Sequence, residues 1–313
     1  MPNASDMRWF KTNFQNKVNA AIQGTPFTLD LMTALACQET GEIWPILRKT
    51  DLIIDRILEL CVGDTIDAPS RSAFPKNKAE LVAFPRGQEM FDLARQALVD
   101  MAHFINSYKD AASKPNKFCH GYGIFQFDLQ FFKTEPDYFL QKRYARFDDS
   151  LQKAIGELQA ARKRIDLQNK PALTDLELAH VAIAYNTGHF NPAKGLKQGF
   201  APRDKHGNVI GPFYGEQILA FMQTAKTVSV DDATTTQPST SAATGPVFQV
   251  TASTLNLRSE PAIDPNNIKA KLPSGQKVRA ITNQAVNGFL EVETDFEGQH
   301  LRGFASSQFL NQV

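Results

Sequence analysis

The spacing of apolar positions changes period once along this chain. From residue 8 to about residue 227 they recur at three- and four-residue intervals, the period of helices that bury one face. After residue 246 they recur at every second position over short runs, the period of strands. Trp9, Phe10, Phe14, Val18, Ala21 and Ile22 define a first helix over 8–23. Gly24-Thr25-Pro26 breaks it and leads into an apolar run that starts at Phe27, with Leu29, Leu31, Met32, Leu35 and Ala36 on one face. Thr28 or Asp30 caps its start and Gly41 ends it. An apolar segment over 52–62 and an irregular stretch over 63–85, with three prolines, follow. Met90, Phe91, Ala94, Leu98, Met101 and Ile105 mark a strong helix over 88–108, and 109–117 reads as a polar loop. Residues 121–132 are rich in glycine and aromatics and mix both periods, which suits a hairpin or loop. Helical spacing returns over 150–166, 174–185 and 215–227.

Between the two periods, residues 229–245 are Thr, Ser, Ala, Asp and Pro with almost nothing to bury, the composition of a flexible linker. Beyond it, runs at 248–250, 255–257, 276–281, 289–293 and 301–304 alternate between turn residues, as in a small β-barrel. The chain thus reads as multidomain α + β: a mainly helical domain over 1–228, a linker over 229–246 and a small all-β domain over 247–313.

Composition narrows the function classes more than the fold. At 42% hydrophobic and 21% charged residues the chain resembles a soluble globular protein, and its net charge of +1 offers no global attraction to nucleic acid. No apolar run approaches the ~20 residues of a membrane span. The first residues, Met1 to Asp6, lack the basic-then-apolar pattern of a secretory signal. Cys37, Cys61 and Cys119 are odd in number, have no metal-ligand spacing and read as buried reduced thiols; Cys37 and Cys119 pair only if their stretches meet in an oxidising compartment. No cofactor or metal is predicted.

The chemistry concentrates in three short segments. Glu39 closes an apolar helix, in Ala36-Cys37-Gln38-Glu39-Thr40-Gly41. Taken alone, an acid near a helix end is usually solvated, but partial desolvation there raises a carboxyl pKa and suits a general acid. Gly121-Tyr122-Gly123-Ile124-Phe125-Gln126-Phe127-Asp128 carries two glycines that permit tight turns or close approach. Ala184-Tyr185-Asn186-Thr187-Gly188 ends a helix, and by itself reads as capping by Gly188.

In this order the three segments resemble the lysozyme-like superfamily, that is, goose-type lysozymes and soluble lytic transglycosylases. The resemblance lies in motifs within residues 27–225. It implies cleavage of the β-1,4 bond between N-acetylmuramic acid and N-acetylglucosamine in peptidoglycan glycan strands, with Glu39 as general acid. It further implies Asp128 as the carboxylate that activates water, and Gln126, Tyr185, Asn186, Gly123, Tyr122 and Thr40 as substrate-binding residues. A lytic transglycosylase needs no such water, so hydrolysis and anhydro-ring formation both stay open. A non-catalytic glycan-binding scaffold and a chitin-cleaving enzyme are the remaining alternatives. Glu42 reads as a solvated side chain, and His120 and His189 as satisfied or exposed loop histidines. The interval from Glu39 to Gly123 is much longer than in that family, so 42–120 reads as an insertion.

Val250 to Pro261, with Leu255-Asn256-Leu257-Arg258-Ser259, then Leu272-Pro273-Ser274-Gly275 and Gly303-Phe304-Ala305, resembles a bacterial SH3-like domain. Such modules commonly bind wall stem peptides, although a plain structural role is the alternative. The two resemblances together imply a monomeric, bacteriolytic enzyme acting at the cell wall or in the periplasm. A phage lysin or an effector injected by a secretion machine fits the N-terminus, and a cognate inhibitor or immunity protein would be its further partner.

Overall fold

A computed structural model of the chain describes residues 1–50, 52–66, 71–230, 245–259, 261, 263, 267–281, 285, 288–296 and 299–313. The chain is of mixed α + β class, with helices, a three-stranded sheet and a seven-stranded sheet, both antiparallel. It divides into two compact units, residues 1–235 and 236–313. Most of the expected linker, residues 231–244, lies outside the described residues.

The first unit runs α1 (Ala4–Ala21), α2 (Leu29–Thr40), α3 (Trp44–Leu47), α4 (Ile54–Glu59), β1 (Val62–Ile66), α5 (Lys78–Val82), α6 (Gly87–Ala102), α7 (Lys109–Ser113), β2 (Phe118–Tyr122), β3 (Phe127–Asp128), α8 (Pro136–Leu140), α9 (Phe147–Arg164), α10 (Asp175–Thr187) and α11 (Tyr214–Thr227). Helix α2 lies in the middle, with every residue from Leu31 to Cys37 buried. Of the two caps expected, Thr28 serves: its Oγ1 accepts from the Leu31 backbone N–H at 3.1 Å. Gly41 ends α2 for a steric reason, with an ordinary φ of −66°. A Cβ there would stand 2.0 Å from the Cys37 carbonyl oxygen and 2.5 Å from Pro2.

Helices α1 and α11 flank α2, and a buried lysine joins the three. Lys11 Nζ donates to Asp30 and to the Ala225 and Val228 carbonyls at 2.7–2.9 Å. A helix C-terminus leaves carbonyls without partners, and a cation is the natural group to satisfy them. Helix α10 is apolar from Leu178 to Ala184 except at the partly buried His180, which suits a mostly interior helix. Gly188 caps it in the left-handed conformation, φ +78°, as its position in the sequence leads one to expect.

Several expected boundaries move. Helix α6 stops at Ala102 rather than 108, and the expected loop over 109–117 contains the short helix α7. The irregular stretch over 63–85 holds most of β1 and all of α5. Strand β1 pairs with β2 from Val62↔Tyr122 to Ile66↔Phe118, and β2 pairs with β3 through Tyr122↔Phe127. The sheet is therefore a meander in which the first connection, from β1 to β2, carries α5, α6 and α7. Strand β1, which lies within the stretch 42–120 expected as an insertion, belongs to the sheet.

The second unit runs β4 (Val247–Val250), β5 (Thr254–Arg258), β6 (Ile268–Pro273), β7 (Lys277–Ala280), β8 (Phe289–Phe296), β9 (Gln299–Ser306) and β10 (Leu310–Gln312) in the sheet order β10-β4-β7-β8-β9-β5-β6. Val250, Leu255, Leu257, Leu272, Val278, Leu290, Val292 and Ala305 form its core. Strands β6 and β10 lie outside the expected runs: β10 offers only Leu310, whereas β6 does alternate, with Ile268, Ala270 and Leu272 between polar positions.

Candidate active site

The hairpin between β2 and β3 turns through Gly123–Gln126, closed by Gln126 N–H to the Gly123 carbonyl at 3.0 Å. Gln126 is held at φ +54°, unusual for a residue with a Cβ. Its side chain folds back, and Nε2 donates to the carbonyls of Gly123 at 2.7 Å and Cys61 at 3.3 Å. Two glycines leave room for it. A Cβ at Gly121 would stand 2.1 Å from Gln126 Oε1, and one at Gly63 2.7 Å away. Gly123 takes φ +80°, and a Cβ there would meet Ser150 Oγ at 2.6 Å.

Two helices grip successive carbonyls of this turn. Thr40, at the end of α2, donates its hydroxyl to Ile124 O at 2.7 Å, and Tyr185, on α10, donates to Phe125 O at 2.6 Å. Ile124 and Phe125 are buried beneath. The three sequence segments therefore converge, and hydrogen bonds between them fix their relation.

Glu39 is half-buried beside this junction, with its Oε1 accepting from Tyr214 Oη at 2.7 Å. Its pKa is pushed up to about 8, chiefly by burial; the Tyr214 hydrogen bond opposes this and the charge of Asp64 adds to it. A position in the last turn of α2, at the negative end of the helix dipole, also disfavours the anion. Tyr185 feels the Glu39 charge as well, so both tyrosines border the carboxyl. The result is a carboxyl that is protonated at neutral pH.

The remaining expected residues separate into those that reach the surface and those that do not. Asn186 is exposed. Beside it Gly199 lies at φ +79°, where a Cβ would stand 2.5 Å from Tyr214 Cβ and 3.3 Å from Asn186 Oδ1. Phe200 follows, 76% exposed, its carbonyl accepting from the Tyr214 N–H at 2.8 Å. Tyr122 is fully buried, donates to the Cys119 carbonyl and packs edge-on against Phe139 and Tyr144. Of the residues expected to contact substrate, Tyr122, Thr40 and Gly123 are buried parts of the frame that shapes the turn.

Asp128, the expected water-activating carboxylate, is engaged in a hydrogen-bond network. Its Oδ1 accepts from Arg71 and from the Gln130 N–H at 2.7 Å, and its Oδ2 lies 2.9 Å from His120 Nδ1. Partial burial raises its pKa, but the hydrogen bonds from His120 and Arg71 outweigh that and hold it below the usual carboxylate range. A carboxylate held by the Arg71 guanidinium on one oxygen and by the His120 ring on the other is a weak base, and this one joins the β1–β2 connection to the hairpin. The carboxylate that acts electrostatically on Glu39 is Asp64, exposed on β1 at φ +44°. Sequence reading missed Asp64 and Tyr214, since neither sits in a patterned segment. Glu42 is exposed, Cys37, Cys61 and Cys119 are buried free thiols, and His189 is exposed. Among the described residues no cluster of His, Cys, Asp and Glu has the arrangement of a metal site.

No family model matches the chain, and neither a curated protein nor a solved structure matches it significantly.

Proposed function

We propose that the first unit is a lysozyme-like glycosidase that cleaves the β-1,4 bond between N-acetylmuramic acid and N-acetylglucosamine in peptidoglycan. The observation that carries this reading is Glu39, a half-buried carboxyl whose proton is retained to about pH 8 beside an exposed amide and aromatics. Glu39 gives its proton to the glycosidic oxygen as the C1–O bond breaks, and the sugar develops oxocarbenium character. Asp64 takes the water-activating role in place of Asp128: water adds to C1 and passes its proton to Asp64. Asn186 holds an N-acetyl group by hydrogen bonds, and the exposed face of Phe200 packs on a sugar ring. The second unit is a bacterial SH3-like wall-binding module. A linker over 229–246 then raises the local concentration of the first unit at the wall.

The engagement of Asp128 favours a second reading, in which no second carboxylate is needed: the muramic acid 6-hydroxyl attacks C1 to form a 1,6-anhydro ring and passes its proton to Glu39, left ionised by the first step. Mass spectrometry of fragments from purified peptidoglycan separates the two. Reducing-end products from wild type, lost in Asp64→Asn, support hydrolysis, whereas products lighter by one water and insensitive to Asp64→Asn support transglycosylation. No fragments from the wild type would leave the chain a binding protein.

A further inference from the structure

A cavity of about 330 Å³ opens just beyond the end of α2, and the glycosidase reading leaves it unused. Gly41, Glu42, Lys49 and Ser107 line it, with Pro45 and Ile46 as apolar surface. Glu42 follows Glu39 by three residues through Gly41, which keeps helical angles, φ −66° and ψ −9°. Residues so spaced are neighbours on one helix face, with Cβ atoms ~5–6 Å apart. Ser107 precedes Tyr108, whose hydroxyl feels the charges of both Asp64 and Glu42. The cavity therefore lies close to both carboxyl groups to which the chemistry is assigned. Two opposite charges stand at the two ends of α3, Glu42 before Trp44 and Lys49 after Leu47. Both are exposed, and neither side chain makes an ion pair or hydrogen bond among the described residues. The other charged side chain of the lining, Asp6, is already paired, with Arg48 at 2.6 Å. A neutral sugar gains little from such charges, a lone cation meets Lys49 and a lone anion meets Glu42. A group that carries an amine and a carboxylate complements both ends. The volume lies at the lower limit for ligand pockets, so it admits the end of a peptide rather than a whole one.

We propose that this cavity receives the zwitterionic end of a wall stem peptide, with a free side-chain amine at Glu42 and the terminal carboxylate at Lys49, an inference that rests on the glycosidase reading. The peptide hangs from the muramic acid whose glycosidic oxygen meets Glu39, so it starts near Glu42. Both contacts are solvent-exposed ion pairs and modest in strength. They select among substrates rather than hold them: wall whose peptides keep a free amine is cut in preference to wall whose amines are blocked.

The test titrates the full chain at low salt, by ligand-observed NMR, with an N-acetylated stem tetrapeptide that carries a lysine amine and a free C-terminal carboxylate. Two blocked forms, one acetylated on the lysine amine and one amidated at the C-terminus, are titrated beside it. Saturable binding is expected, and it weakens as salt screens the charges. Acetylating the amine should cost wild type about fivefold in affinity and Glu42→Gln nothing. Amidating the C-terminus should cost wild type about fivefold and Lys49→Gln nothing. Each variant should still respond to the other block. Both residues are exposed, and circular dichroism of the variants controls for folding. Absent binding, or a block that costs wild type and its matching variant equally, overturns the proposal, because the peptide then binds elsewhere or not at all. The readout needs no cleavage: the expected pattern from a chain that leaves the wall intact refutes the glycosidase reading alone. Digestion of wall with free and with acetylated amines at equal rates by wild type refutes the cavity alone.

Discussion

Replacing Glu39 by Gln removes a proton-linked cost of folding, and its size follows from the two pKa values of the carboxyl. It titrates near 4.5 when unfolded and near 8 in the folded chain. Below pH 4.5 both states hold the proton and the group does not affect stability. Between those values the unfolded chain loses the proton while the folded chain keeps it, so each pH unit favours unfolding by about 1.4 kcal/mol. At pH 7 the accumulated loss is about 3 kcal/mol, and it levels off above pH 8 once both states are ionised. Gln is uncharged throughout, and its amide oxygen still accepts from Tyr214. Glu39→Gln should therefore be as stable as wild type at pH 4 and about 3 kcal/mol more stable at pH 7. Urea unfolding followed by helical circular dichroism reports on the first unit, which holds the long helices. A stability difference that does not change with pH, or a variant weaker than wild type at pH 7, would refute the assignment of a protonated Glu39. The same variant should lose wall lysis by about 10²–10⁴-fold, the usual worth of a positioned general acid.

Three further outcomes follow from the site. Wall lysis by wild type should fall as pH rises through about 8, where Glu39 loses the proton it donates, and the limb should move to lower pH in Asp64→Asn; a pH–rate profile checks both. Thr40→Val leaves the buried Ile124 carbonyl without its partner and should cost about 1–3 kcal/mol in urea unfolding, with Glu39 still in place. Gly121→Ala drives a Cβ into Gln126 and should destabilise the hairpin by about 1–3 kcal/mol. In a Gln126→Ala background the same change should cost much less, and an additive double-mutant cycle would contradict the contact.

Local pattern determined a good deal of this protein. The helices that carry Glu39 and Tyr185, the Thr28 cap, the Gly188 stop and the change from helical to strand period are each written in neighbouring residues. Backbone hydrogen bonding and one-sided burial act over three or four positions, so a linear pattern reveals them. Tertiary structure decided the rest. Whether Thr40 and Tyr122 face a ligand or the interior depends on which carbonyls and rings lie opposite them. Asp128 had the right chemistry in the right motif, yet Arg71 reaches it across the long β1–β2 connection and lowers its basicity. Asp64 and Tyr214 influence Glu39 from elements far away in sequence, and no spacing rule points to either. A carboxyl's pKa is set by burial, charges and hydrogen bonds in three dimensions, so the helix end identified the acid while only the fold could set its proton affinity.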